Sequence, residues 1–113
     1  LFSITYSGNV PEGSKVSLLR ADSDALINGA ANAATVTTQQ LPSPELAIIM
    51  SCTERRTLLN GRTSEELSAL KNAFGQQTAI SGLFTPGEIA PAGPDLKCEF
   101  FKQSVIVTAI SEN

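Results

Sequence analysis

The residues of this chain with the chemistry to hold a small molecule fall in three places. These are Cys52, Arg55 and Arg56 in Ser51-Cys52-Thr53-Glu54-Arg55-Arg56, Thr85 and Glu88 in Gly82-Leu83-Phe84-Thr85-Pro86-Gly87-Glu88-Ile89-Ala90-Pro91, and Gln103 beside Lys102 and Ser104. Glu88 is a lone carboxylate after an apolar run, and Pro86, Gly87 and Pro91 interrupt regular structure around it, which places it at a strand's end. There it either accepts hydrogen bonds from neighbouring backbone N–H groups or receives a ligand's ammonium or hydroxyl groups. The arginines follow a second apolar run, where the N–H groups of a turn and a guanidinium can together hold a carboxylate. On a helical turn adjacent residues diverge by about 100°, so the two arginines cannot both face one ligand. One of them pairs with Glu54 or Glu88, or reaches solvent. Cys52 is either a reactive thiolate or a small buried thiol at a strand end, and the second is the ordinary role. The Gln103 amide either satisfies a sheet edge or reads a ligand.

The chain contains no histidine. That removes the commonest general base and metal ligand, and with them Ser-His and Cys-His nucleophilic arrangements, so the expectation is a protein that is not an enzyme. No glycine-rich phosphate loop follows a strand, since Gly8 to Gly13 joins two strands and lacks the spacing. No cofactor is therefore named by the sequence. The formal net charge is −3, from 8 basic and 11 acidic residues, and there is one Tyr and no Trp. Basic residues are scattered apart from Arg55, Arg56 and Arg62, which argues against a nucleic-acid partner. The longest uncharged run, Ala25 to Pro44, carries Asn28, Asn32, Thr35 and Gln39, too polar to cross a bilayer. Two cysteines far apart make neither a disulfide scaffold nor a zinc pair, which suits a reducing compartment.

At 113 residues the chain suits a single domain, 1–113. It enters directly on Leu1 without a start methionine, as a piece of a longer protein would. Only 17% of its residues are charged, leaving surface for another domain to cover. Alternation predicts strands over Leu1 to Ser7 and Lys15 to Arg20, joined in a hairpin through Gly8 to Gly13. Asp22 to the high thirties reads as a helix with small residues on its contact face. Glu45 to Ser51 reads as a central strand covered on both faces. Cys52 to Leu59 is a turn or short helix closed by Asn60-Gly61. Thr63 and Glu66 form a capping box for a helix with Leu67, Leu70 and Phe74 on one face and Gly75 past its end. Thr78 to Thr85 is a strand, Pro86 to Lys97 a loop, and Cys98 to Ile110 a last strand apolar on both faces. Lying antiparallel beside the strand that ends at Thr85, it would bring Phe101 and Lys102 near Glu88. The expected fold is α+β: two layers, a mixed five-stranded sheet with two main helices on one face, in the order ββαβαββ.

In these blocks the chain resembles the C-terminal domain of the FIST family, sensory domains of bacterial signal-transduction proteins and of some eukaryotic F-box proteins. The resemblance rests on Val10-Pro11-Glu12-Gly13 with Val16 to Ala21, Ser51-Cys52 with Arg55-Arg56, and Thr63 to Glu66. It rests further on Gly82 to Pro91, similar to an aromatic-threonine-x-Gly-Glu-Ile-x-Pro pattern, and on Gln103-Ser104-Val105. Phe101-Lys102 stands where many relatives have His-Asn. The resemblance implies a cytoplasmic sensor that binds a small ligand, an amino acid or similar metabolite. It also implies a FIST N-terminal domain as neighbour and an attached signalling output as recipient. Glu88 with Arg55 or Arg56 would then supply the charged poles, with Cys52, Thr85 and Gln103 beside them. The alternative is an interaction domain without its own ligand, which dimerises or docks its neighbour through the exposed sheet face.

Overall fold

The computed structural model describes residues 2–6 and 8–112. Among them, in chain order, are α1 (Ser23–Gln40), β1 (Leu46–Cys52), α2 (Thr53–Leu58), α3 (Thr63–Phe74), β2 (Ala79–Thr85), β3 (Glu88–Ala92), β4 (Lys97–Phe101) and β5 (Val105–Ile110). The fold is α+β, as expected. Its strands divide into a mixed three-stranded sheet, β2-β1-β5, and a two-stranded ribbon, β3-β4.

Asp22 caps α1 by accepting a 2.8 Å hydrogen bond from the Ala25 N–H. Leu26, Ala30 and Ala34 then recur every four residues as its buried stripe. Their small side chains let α1 lie close to α3 and β5, and Ala30 and Ala34 pack with Ala47 and Ile49 of β1 and with Leu70 and Phe74 of α3. Both long helices thus cover the face of β1 that carries Ala47 and Ile49, while Leu46, Ile48 and Met50, facing the other way, are half-buried. β1 is central: it pairs in parallel with β2 and antiparallel with β5. The β1–β2 crossover, made by α2 and α3, carries Asn60 and Gly61 at positive φ between the two helices. A Cβ on Gly82 would lie 2.1 Å from the Ile49 carbonyl oxygen, so the approach of these two strands demands glycine there.

Three expectations need correction. Residues 2–6 and 15–20 form no hairpin; Leu1 and Ser7, which end the first expected strand, lie outside the described residues. Phe2, Leu18 and Leu19 are almost fully exposed. A two-stranded hairpin without an apolar surface to cover gains too little to hold. The stretch from Pro86 to Lys97 is not a loop, because β3 pairs with β4 and sets Glu88 opposite Phe101. Pro91 is compatible with this ribbon, whose strands are both edges and leave one side without ladder bonds. The last strand is two strands rather than one: Gln103 takes a left-handed φ of 58°, turning the chain from β4 into β5. The strand beginning near Cys98 consequently neighbours β3, and β5 lies beside β1 instead of β2.

Candidate functional site

Glu88, Thr85, Ser104 and Cys52 meet at the carboxyl end of the parallel β1–β2 pair. Cys52 and Thr85 are register partners there, and the Cys52 N–H donates to the Ser104 carbonyl at 3.0 Å, binding the start of β5 to the end of β1. Pro86-Gly87 turns the chain back so that Glu88 begins β3; a Cβ at Gly87 would strike the Phe100 ring at 2.6 Å. Glu88 is 4% exposed. Thr85 Oγ1 donates to Glu88 Oε1 at 2.5 Å and Ser104 Oγ donates to Glu88 Oε2. Among the described residues no lysine or arginine forms an ion pair with it. A buried carboxylate is thus held by two hydroxyls, with lone pairs left on both oxygens.

The two arginines part company as the helical turn requires. Arg55, 5% exposed, donates from Nε to Glu66 Oε1 at 2.7 Å, from Nη2 to the Leu26 carbonyl at 2.5 Å and from Nη1 to the Gln103 carbonyl at 3.4 Å. It ties α2 to α3, α1 and the β4–β5 connection. Its partner is therefore neither Glu54 nor Glu88. Glu66 is in turn no capping-box residue: the N-cap of α3 is Arg62, without a side-chain cap bond. Arg62 instead pairs with Glu65 and with Asp24, each at 2.7 Å. Glu65 first and Asp24 second hold the Arg62 guanidinium protonated above an arginine's ordinary range, and Arg62 holds Glu65 below the usual carboxylate range. Arg56 is exposed and lies over Phe84, 5.3 Å from the ring centroid. Phe84 precedes Thr85 on β2, so Arg56 stands near the same strand end as Glu88.

Gln103 donates from Nε2 to Glu54 Oε2 at 3.3 Å, and Lys102 donates from Nζ to Glu54 Oε1 at 3.2 Å. Lys102 first, then Gln103, draws the Glu54 carboxyl below its ordinary value. The structure therefore gathers Cys52, Thr85 and Glu88 at one strand end. Gln103 is joined to them through Ser104, Arg55 supports the group from the helix side, and Arg56 lies on the adjacent aromatic ring. Cys52 is fully buried and free, and Cys98 is exposed and free. Ser104 and Glu66 are the members that reading by motif missed as site residues. The signal for Ser104 was its place after Gln103, while Glu66 gave none beyond its misread capping pattern. Among the described residues there is no cluster of three His, Cys, Asp or Glu side chains fit to hold a metal ion, and no helix is long and apolar enough to cross a membrane.

The model of the FIST C domain family matches residues 2–91, and the chain belongs to that family, whose members are sensory domains of signal transduction. The match takes in Cys52, Arg55, Arg56, Thr85 and Glu88, and it ends before Gln103. No curated protein and no solved structure matches the chain.

Proposed function

We propose that this FIST C domain binds a small ligand carrying both an amino and a carboxylate group, an amino acid or close metabolite. It relays occupancy to a signalling output in the cytoplasm of a bacterial cell. One observation carries the reading: Glu88 is a buried carboxylate with hydroxyl donors and no cation of the described protein beside it. Burying a charge is costly unless an opposite charge or a full set of donors compensates, and a ligand ammonium is a natural complement. Arg56, exposed and braced on Phe84, is the matching pole for the carboxylate. Arg55 is spent on Glu66 and frames the site. Thr85, Cys52 and Gln103 border the ligand, which lies outside the carboxyl ends of parallel strands, a common position for ligands in such sheets. Relay requires tighter binding to one of two conformations, because equal affinity for both shifts nothing.

A second reading has its own support. Phe2, Ile4, Val16, Leu18 and Leu19 expose apolar side chains on the segment ahead of α1, as a docking arm for the N-terminal FIST domain or for a second copy would. A thermal-shift panel of the twenty amino acids separates the two readings. Stabilisation by at least one of them, abolished in Glu88→Gln and weakened in Arg56→Met, supports the sensor. A flat panel favours the docking module.

A further inference from the structure

Across the sheet from Cys52 and Thr85, the ends of β1 and β2 and the start of α3 border a half-open cavity of about 290 Å³. Ile80, Gly82 and Phe84 of β2 line it together with Ile49 and Ser51 of β1 and Leu67 of α3. Its walls are mainly apolar, and Leu67, 49% exposed, stands at the mouth. Its polar residues are Ser51, Thr63, Glu66 and Ser81. The charge of Glu66 is already met by Arg55 at 2.7 Å, so the cavity presents no unpaired ionic group from this residue. Ser51 differs. It is 6% exposed, and its Oγ is the buried side-chain polar atom that lacks a hydrogen-bond partner among the described residues. A hydroxyl offers one donor and two acceptor positions, and leaving it buried and unmatched is unfavourable.

We propose that this cavity is a binding site for a small uncharged organic molecule, with an apolar body of about phenol size and one hydroxyl head that hydrogen-bonds to Ser51 Oγ. The volume lies just below the range of about 300–1,000 Å³ typical of pockets for drug-sized ligands, which selects a small occupant. The apolar walls favour a ring or short hydrocarbon over a cluster of waters, each of which needs two to four polar partners. Glu66 is paired with Arg55, and Arg56 over Phe84 is exposed to solvent and outside the lining, so neither charge needs a counter-ion inside the cavity. The occupant touches neither Glu88 nor Gln103, and the proposal stands or falls apart from the amino-acid reading.

The test is a titration of the full chain with p-cresol and, separately, with toluene, followed by amide chemical shifts in two-dimensional NMR. The expected result is saturable shifts centred on Ser51, Leu67, Gly82 and Phe84, with p-cresol binding about tenfold more tightly than toluene, the size of one hydrogen bond. Ser51→Ala is expected to bring the two affinities together, and Leu67→Trp, which fills the mouth from an exposed position, to abolish both. Shifts that fail to saturate, or that scatter over exposed Phe2, Leu18 and Leu19, overturn the proposal. So does a p-cresol preference that survives in Ser51→Ala. A Ser51→Ala protein that does not fold overturns it as well, because an unpaired buried hydroxyl has no stability to lose.

Discussion

Two buried carboxylates lie near the same end of the sheet and differ in one respect. Glu66, 2% exposed, meets Arg55 in an ion pair whose remaining guanidinium donors reach the Leu26 and Gln103 carbonyls. Glu88, 4% exposed, meets only hydroxyls among the described residues. Low solvent exposure is common to both, so burial alone does not mark a site. The difference lies in charge balance. A completed pair belongs to the scaffold, and a carboxylate without a cation has acceptor capacity to spare for an incoming one.

The largest effect that sharpens this contrast falls on the completed pair. Arg55→Met should destabilise the fold by about 3–5 kcal/mol in urea unfolding, because it strands Glu66 without its partner. The double variant Arg55→Met with Glu66→Leu should recover much of that loss, since removing both charges leaves nothing uncompensated. A double variant no more stable than the single one would show that the packing of Arg55 against α1 matters more than its charge.

Next in size is Ser51→Ala, expected to raise stability in the absence of any added molecule by about 1 kcal/mol, through loss of an unmatched buried hydroxyl. A fall in urea midpoint would mean that ordered water satisfies Ser51.

The smallest effect concerns acid. In the unfolded chain Glu54 protonates near its ordinary value of 4.5, and in the folded chain its bonds to Lys102 and Gln103 move that protonation lower. Between the two values the folded state binds fewer protons, so the contribution of Glu54 is fully present above 4.5 and is lost as pH falls through the folded value. The Glu54 side chain is 44% exposed, and screening keeps the effect small. Urea midpoints from pH 7 to pH 3 should fall slightly less steeply for Glu54→Gln than for the parent, and parallel curves would remove this linkage.

Much of the frame was legible because its signals are local. Asp22 followed by alanines at helical spacing defines α1, the uninterrupted apolar run defines β1 as central, and Gly75 does end α3, with φ at 92°. What escaped depended on partners distant in sequence. Alternation in residues 2–6 and 15–20 specifies faces without supplying a surface to bury them. Pro91 reads as a breaker, yet a two-stranded ribbon leaves each strand one side without ladder bonds, where proline is tolerated. The Arg55–Glu66 pair joins residues on different helices, and its geometry depends on the Asn60-Gly61 turn between them. The Ser104–Glu88 contact depends on the left-handed Gln103, which no propensity demands of glutamine. Glu88, Thr85 and Cys52 were singled out by residue type and position at strand ends. That Glu88 has no cation partner among the described residues became visible only once the fold had placed its neighbours.

The most direct test of Glu88 as a ligand pole is unfolding free energy of the parent and of Glu88→Gln, with and without the best amino acid from the panel. Glutamine preserves the shape of the side chain and an acceptor for Thr85 or Ser104 while removing the charge. The account predicts that a ligand at a hundred times its Kd stabilises the parent by about 2.7 kcal/mol and leaves Glu88→Gln unmoved, with ligand-free stabilities within about 1 kcal/mol of each other. Equal stabilisation of both proteins, together with a loss of several kcal/mol in ligand-free Glu88→Gln, would contradict it and place Glu88 with Glu66 among the residues that hold the fold.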